Sequence, residues 1–168
     1  MSKLTPDEFV RKTLSGVYSL ALRLTGNAAD AWDLTQDVLI QAIRALPRFR
    51  GEADPRTWAY RITVNMWKNR VQSRVWRWWR SFLRLEPYTA MEPGPERELE
   101  RKERSEAVET ALESLPPEDR AAVFLREVEG KSYQEIADII HVPIGTVKSR
   151  LYRARTTLAR LLEKKDES

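Results

Sequence analysis

Ser132-Tyr133-Gln134-Glu135-Ile136-Ala137-Asp138-Ile139-Ile140-His141-Val142-Pro143-Ile144-Gly145-Thr146-Val147-Lys148-Ser149-Arg150-Leu151-Tyr152-Arg153 is the stretch that decides the fold. Ser132 and Glu135, three residues apart, form a capping box in which a hydroxyl and a carboxylate satisfy helix-start amides reciprocally. Ile136, Ala137, Ile139 and Ile140 then bury one side of a short helix, with Ala137 small where a second helix must cross closely. His141 through Gly145 reads as a turn, and a lone His there is either solvated or in a left-handed backbone, which His tolerates better than most residues. Thr146 begins a longer helix with Val147, Leu151, Ala154, Leu158 and Leu161 inward at alternating spacings of four and three. Thr146, Lys148, Ser149, Arg150 and Arg153 are left to face outward. A short helix, a tight turn and a longer basic helix is the arrangement that seats a recognition helix in a major groove. An ordinary helical hairpin with a solvated basic face is the alternative; capping, turn and charge together favour duplex DNA.

Working outward, Leu115-Pro116-Pro117-Glu118 reads as a break and a helix start, with Val123, Phe124 and Val128 apolar before Gly130. Glu96 to Leu112 reads as a helix of mixed charge with a solvated face. Pro87, Pro93, Gly94 and Pro95 make residues 86–95 a linker. Upstream, Thr5-Pro6 places a cap and a first helical residue, and helical spacing runs from Phe9 to Leu22 until Gly26. Asn27 and Asp30 start a second helix with Ala31, Leu34, Val38, Ala42 and Leu46 buried, ending at Pro47. Asp54-Pro55 opens a third, with Trp58, Ile62 and Met66 inward. No period-two strand appears. The expected fold is all-α, with two small helical domains: residues 1–85, an acidic linker over 86–112 that is helical in its second half, and residues 113–168.

Charge follows that division. Across 168 residues the net charge is +4. Residues 1–85 carry 15 basic and 7 acidic side chains, and residues 86–115 carry 4 and 9. From Pro55 to Leu85 there is no acid at all, while Arg56, Arg61, Lys68, Arg70, Arg74, Arg77, Arg80 and Arg84 alternate with Trp58, Tyr60, Trp67, Trp76, Trp78 and Trp79. Cations beside aromatic faces suit single-stranded nucleic acid, where charge tracks phosphates and rings accept unstacked bases. An amphipathic helix with core rings accounts for some of the aromatics, Trp58 above all, and not for the missing acids. The chain has no Cys and one His, which excludes disulfides, thiolate zinc sites and multi-His metal centres. Without a Gly-rich phosphate loop or a nucleophile–base set, no enzyme, metal or cofactor is expected. No apolar run suits a signal peptide or a membrane span, so a cytoplasmic protein is expected.

Several further segments resemble one family. Ala21-Leu22-Arg23-Leu24-Thr25-Gly26-Asn27 and Asp30-Ala31-Trp32-Asp33-Leu34-Thr35-Gln36-Asp37-Val38 are similar to a polymerase-docking segment. Arg48-Phe49-Arg50-Gly51 with Thr57-Trp58-Ala59-Tyr60-Arg61-Ile62-Thr63-Val64-Asn65 is similar to a −10-melting stretch. Leu115 through Leu162, with Gly145-Thr146-Val147-Lys148-Ser149-Arg150-Leu151, is similar to a −35-reading domain. In this order they resemble the extracytoplasmic-function (ECF) sigma factors of bacteria. The resemblance implies that Asp33, Leu34, Gln36 and Asp37 dock on core RNA polymerase. It places Arg56, Tyr60, Arg61, Asn65, Lys68 and Asn69 on the melted −10 strand of promoter DNA. It places Ser132, Tyr133, Thr146, Lys148, Ser149, Arg150 and Arg153 on −35 duplex DNA. It also implies control by an anti-sigma factor, which can hold such a protein at the membrane without membrane insertion.

The resemblance further implies that the acidic linker lies in a nucleic-acid channel of the polymerase; a plain solvated tether serves equally. Two features depart from the family. His141 stands where Gly is usual, and the run from Val75 to Phe82 has no role to transfer: a helix end packed on its own domain, an inhibitor-docking face and a membrane-surface patch all remain open. A free-standing helix-turn-helix regulator is the rival reading, and it lacks an apolar dimer stripe.

Overall fold

The computed structural model describes residues 3–81 and 99–166, and the side chains of residues 3–72 and 106–164. The linker over residues 86–95 and the side chains of Trp76, Trp78 and Trp79 lie outside that description. Among the described residues there are seven α-helices: α1 Pro6–Thr25, α2 Ala28–Ala45, α3 Pro55–Ser81, α4 Leu99–Glu113, α5 Pro117–Val123, α6 Tyr133–Ile140 and α7 Ile144–Asp166. There is no strand among the described residues, so the fold is all-α as expected.

The helix starts are chemical. Thr5 and Glu8 cap α1 reciprocally, the Glu8 amide donating to Thr5 Oγ1 at 3.3 Å and the Thr5 amide to Glu8 Oε2 at 2.9 Å. Those bonds hold the Glu8 carboxyl below its ordinary value of 4.5. Gly26, at φ 78°, closes α1 by donating its amide to Leu22 O. Asn27 caps α2, and Asp54 accepts from the Arg56 and Thr57 amides at the head of α3. A short 3₁₀ turn, Leu46–Arg48, follows α2 and passes through Pro47.

In the first lobe α1, α2 and α3 pack on one another around Phe9, Val17, Leu20, Leu34, Val38 and Val64. Thr13, Thr35 and Thr63 are also fully buried, each hydroxyl donating to the carbonyl four residues earlier at 2.7–2.8 Å, so these three hydroxyls are paired within the core. Trp67 is 9% exposed and belongs to this core, not to a stacking platform. Trp58 stands edge-on to Phe9 and tilted against Phe49.

The second lobe packs α5, α6 and α7 around Leu125, Ile136, Ile139, Val147 and Leu151. Helix α5 does not end cleanly: Phe124–Val128 is a π turn, with the Glu129 amide reaching Phe124 O at 3.1 Å. One boundary and one environment differ from the sequence reading. Helix α7 starts at Ile144 and not at Thr146, because Pro143 O accepts from both the Thr146 and Val147 amides. Helix α4 packs against α7 and buries Ala111, so it is more than a solvated rod.

The lobes are not held apart. Helix α1 packs on α5 and α3 on α6, and the buried apolar residues of both lobes join in one cluster. Arg23 pairs with Glu109 at 2.8 Å. Arg120 is nearly buried against Gly26, with Nη1 3.5 Å from where a Gly26 Cβ would sit, and that burial lowers its pKa. No described helix is long and apolar enough to cross a membrane.

Candidate functional site

Three surfaces collect the candidate residues. On the second lobe, the Ser132–Glu135 capping box fixes the head of α6, and His141, at φ 56° and ψ 52°, donates its amide to Ala137 O and turns the chain into α7. His141 therefore takes the left-handed conformation that the sequence offered as one of its two readings. At the head of α7, Lys148 and Ser149 are exposed, Thr146 is half-buried, and Ser149 Oγ donates to Thr146 O. Tyr152, 75% exposed, lies one turn beyond Lys148 and extends the same flank. Its place off the inward stripe was the signal for it, and the sequence reading passed over it.

Two cations of that helix do something else. Arg153 makes a bidentate pair with Asp119, Nε to Oδ2 at 3.1 Å and Nη2 to Oδ1 at 3.1 Å, and Asp119 is 2% exposed. Arg153 thus staples α5 to α7, since a buried carboxylate requires a fixed counter-charge, while its side chain stays 61% exposed. Arg150 Nη1 lies 2.7 Å from Glu118 as an ion pair whose angle makes no hydrogen bond. Tyr133 accepts Arg126 over its ring at 4.8 Å, and Arg126 also donates to Lys131 O at 2.8 Å. Ser132 spends its hydroxyl on the cap. Both residues build the head of α6.

On α3 the six candidates divide between two flanks. Arg61, Asn65 and Asn69 recur every four residues, with the two amides exposed. Beside them, Ala45, Arg48, Arg50, Glu52 and Trp58 join Arg61 around a cleft of about 340 Å³. Arg48 and Arg50 reach it from the segment after α2; each is one cation in a loop, which spacing alone does not mark. The other flank faces the second lobe. Arg56 Nη2 lies 2.9 Å from Glu129 Oε1 and its Nε donates to Tyr60 Oη at 3.2 Å. Lys68 Nζ donates to Ile140 O at 2.6 Å.

Tyr60 has no exposure, so in this arrangement it touches no strand. Its ring fits because Gly16 of α1 leaves the space: a Cβ there would lie 2.1 Å from Tyr60 Oη. Burial first, and then the bond with Glu129, push the Tyr60 phenol far above its ordinary value of 10.0. Burial opposes the charge on Arg56, but Tyr60, Glu129 and Asp54 outweigh it and raise its pKa.

On α2, Asp33, Gln36 and Asp37 are exposed along one flank. Arg70 of α3 bridges the two acids, with Nη1 3.2 Å from Asp33 Oδ2 and Nη2 bonded to Asp37. Ile40, one turn on and 49% exposed, continues the stripe as an apolar contact that the sequence reading missed. Leu34 is fully buried in the bundle and is corrected from a docking contact to a core residue, since it falls on the inward face of α2. No cluster of three metal-ligating side chains exists among the described residues.

Comparison with known proteins identifies the family. Residues 9–77 match sigma-70 region 2 and residues 105–158 match sigma-70 region 4. The RNA polymerase sigma-H factor of Pseudomonas aeruginosa is 36% identical over 94% of this chain and 86% of its own length. The ECF RNA polymerase sigma-E factor of Escherichia coli K12 is 38% identical over 78% of this chain and 73% of its own. The ECF RNA polymerase sigma factor SigE of Mycolicibacterium smegmatis is 38% identical over 94% of this chain, which spans 62% of that relative's length. Among solved structures, the sigma factor RpoE in complex with the anti-sigma factor NepR from Bartonella quintana superposes with a TM-score of 0.75, at 27% identity, over 94% of this chain and 96% of that one. With both lobes matched in order and relatives at this identity along most of the chain, the protein belongs to the ECF sigma factors of the sigma-70 family.

Proposed function

We propose that this chain is an initiation factor that docks on bacterial core RNA polymerase through α2, reads −35 duplex DNA with the head of α7, and takes the melted −10 strand along α3. The observation that carries the reading is one chain presenting an exposed basic and hydroxylic helix head at Thr146, Lys148 and Ser149 together with the acid-free α3. Lys148 has the reach for a guanine edge or a phosphate, and Thr146 and Ser149 for phosphate oxygens. The exposed amides of Asn65 and Asn69, and the cleft of Arg48, Arg50, Arg61 and Trp58, offer donors and a ring to an unstacked base. On α2 a partner with basic and apolar groups would meet Asp33, Gln36, Asp37 and Ile40. The factor supplies specificity and carries no catalytic residue; the polymerase does the chemistry.

The domain division that goes with this reading is residues 1–85 for docking and −10 reading, 86–112 as tether, and 113–168 for −35 reading. The relative solved with NepR supports control by an anti-sigma factor, and the site of action is cytoplasmic. Transcript starts mapped from fragmented genomic DNA, with purified protein added to core polymerase, test the whole reading. Discrete starts that share two upstream elements are expected. Tight binding of duplex DNA by the protein alone, without specific starts, would instead identify a free-standing regulator.

A further inference from the structure

We propose that the small cavity where the end of α1 meets α4 and α5 binds hydrogen phosphate, with Arg120 and Arg23 as donors to its oxygens and Glu109 and Glu113 as acceptors of its proton. The cavity holds about 80 Å³. That is room for one compact ion or a few waters, and far below the roughly 300 Å³ that a nucleotide-sized ligand needs. Leu22 and Leu112 wall it, and Gly26, having no side chain, leaves the Arg120 guanidinium its place.

Arg120 is the residue that calls for an anion. It is only 9% exposed, its Nε is buried without a hydrogen-bond partner, and its side chain makes no ion pair among the described residues. A buried guanidinium in that condition has given up its water and received neither a bond nor a counter-charge in return. Burial is the first reason that its pKa is lowered; Glu113 pulls the other way, and Arg23, the second cation of the cavity, adds to the lowering. Arg23 pairs with Glu109 through Nη1 at 2.8 Å, and a guanidinium has donors to spare beyond one such bond.

The acids decide which anion. Glu109 and Glu113 are both exposed, so water screens their charge and neither neutralises the buried guanidinium. An ionised carboxylate only accepts hydrogen bonds. Sulfate carries no proton at neutral pH and meets such a group with repulsion alone. Hydrogen phosphate donates its O–H to a carboxylate oxygen while its remaining oxygens accept charge-assisted bonds from the two guanidinium groups. None of these four side chains belongs to the surfaces assigned to polymerase or promoter, so the site stands or falls apart from them.

Phosphorus NMR of inorganic phosphate, titrated with the full-length protein at constant ionic strength in chloride, reads binding directly. Arg120→Met and Glu113→Gln test the two halves of the site. Both should fold: the first replaces an unpaired buried charge by an apolar side chain of similar length, and the second alters an exposed residue. The wild type should broaden the phosphate line saturably, with sulfate competing about tenfold more weakly than unlabelled phosphate itself. Arg120→Met should weaken phosphate binding by about tenfold or more, and Glu113→Gln should bring sulfate to within about threefold of phosphate. A line left sharp by the wild type, or broadening that Arg120→Met leaves unchanged, overturns the site. Broadening lost in Lys148→Ala instead would place the ion at the head of α7 and overturn it equally. Phosphate and sulfate bound alike by the wild type would overturn the role of the carboxylates, and with it the choice of hydrogen phosphate.

Discussion

Gly16→Ala inserts a single methyl group where α1 meets α3, and the structure sets its cost. In an open helix the change is favourable by about 0.5–1 kcal/mol, because Ala is the better helix former and Gly loses more backbone freedom on folding. Here the new Cβ would lie 2.1 Å from Tyr60 Oη, 3.0 Å from Tyr60 Cζ and 2.7 Å from Arg56 Nη2. Tyr60 is fully buried, so its ring has no room to swing out. Overpacking of this kind costs about 1–3 kcal/mol, and losing the Arg56–Tyr60 bond adds about 1 kcal/mol. Set against the helix gain, the net destabilisation is about 1–3.5 kcal/mol. In a chain of this size that corresponds to a fall in Tm of roughly 2–14 °C. Urea denaturation of the wild type, Gly16→Ala, Tyr60→Phe and the double variant measures it. Removing the hydroxyl removes the nearest clash, so the double variant should be more stable than the sum of the singles predicts, by about 1 kcal/mol. A Gly16→Ala protein that is more stable than the wild type, or strictly additive singles, would refute the close approach.

Arg153→Ala leaves the Asp119 carboxylate buried without its counter-charge. With Arg153 itself largely solvated, a loss of about 2 kcal/mol is expected in thermal unfolding, and a Tm within 1–2 °C of wild type would count against the staple. Lys148→Ala should weaken duplex −35 binding across all sequences and lower the slope of log affinity on log salt by about 1 if the contact is a phosphate; an unchanged slope with relaxed base preference would reassign Lys148 to a guanine edge. The raised Tyr60 phenol gives a pH dependence. The unfolded chain releases that proton near pH 10.0 while the folded one keeps it, so the stabilisation is complete below pH 10.0 and declines as the pH climbs beyond it. Denaturation at several alkaline pH values should show a steeper decline in the wild type than in Tyr60→Phe, and parallel slopes would contradict the burial.

Much of the fold is local chemistry and therefore readable in the sequence. The Thr5–Glu8 and Ser132–Glu135 boxes and the Asn27 cap stand where side-chain spacing puts them, because the groups that satisfy a helix start lie within four residues of it. Family membership was legible for a similar reason: the motifs occupy consecutive residues. What escaped was long-range pairing. Nothing in the spacing of α7 distinguishes Arg153, held by Asp119 across the lobe, from Lys148, left exposed. An acid-free α3 attracts phosphate and carboxylate alike, so its charge could not reveal that Glu129, more than sixty residues away, meets Arg56. Leu34 was assigned at once to the buried stripe and to the docking face. A helix has one inward side, and burial decides for the first. The threonines of the first lobe were overlooked because a polar residue in a core reveals itself only when its backbone partner is seen.

The π turn of Phe124–Val128 makes chain length a control in its own right. A wide turn of this type amounts to one residue more than an α-helix would use over the same span, and each residue advances a helix by about 100°. Deleting a single residue there would let the segment relax into regular α-helix with both flanks kept in register, whereas deleting one from the regular turns of α5 would rotate everything after it, Glu129 included, by about 100°. A one-codon deletion is thus absorbed in the π turn and disruptive one turn earlier. Insertions and deletions, more than substitutions, would then set how tightly the two halves of such a protein are tied together.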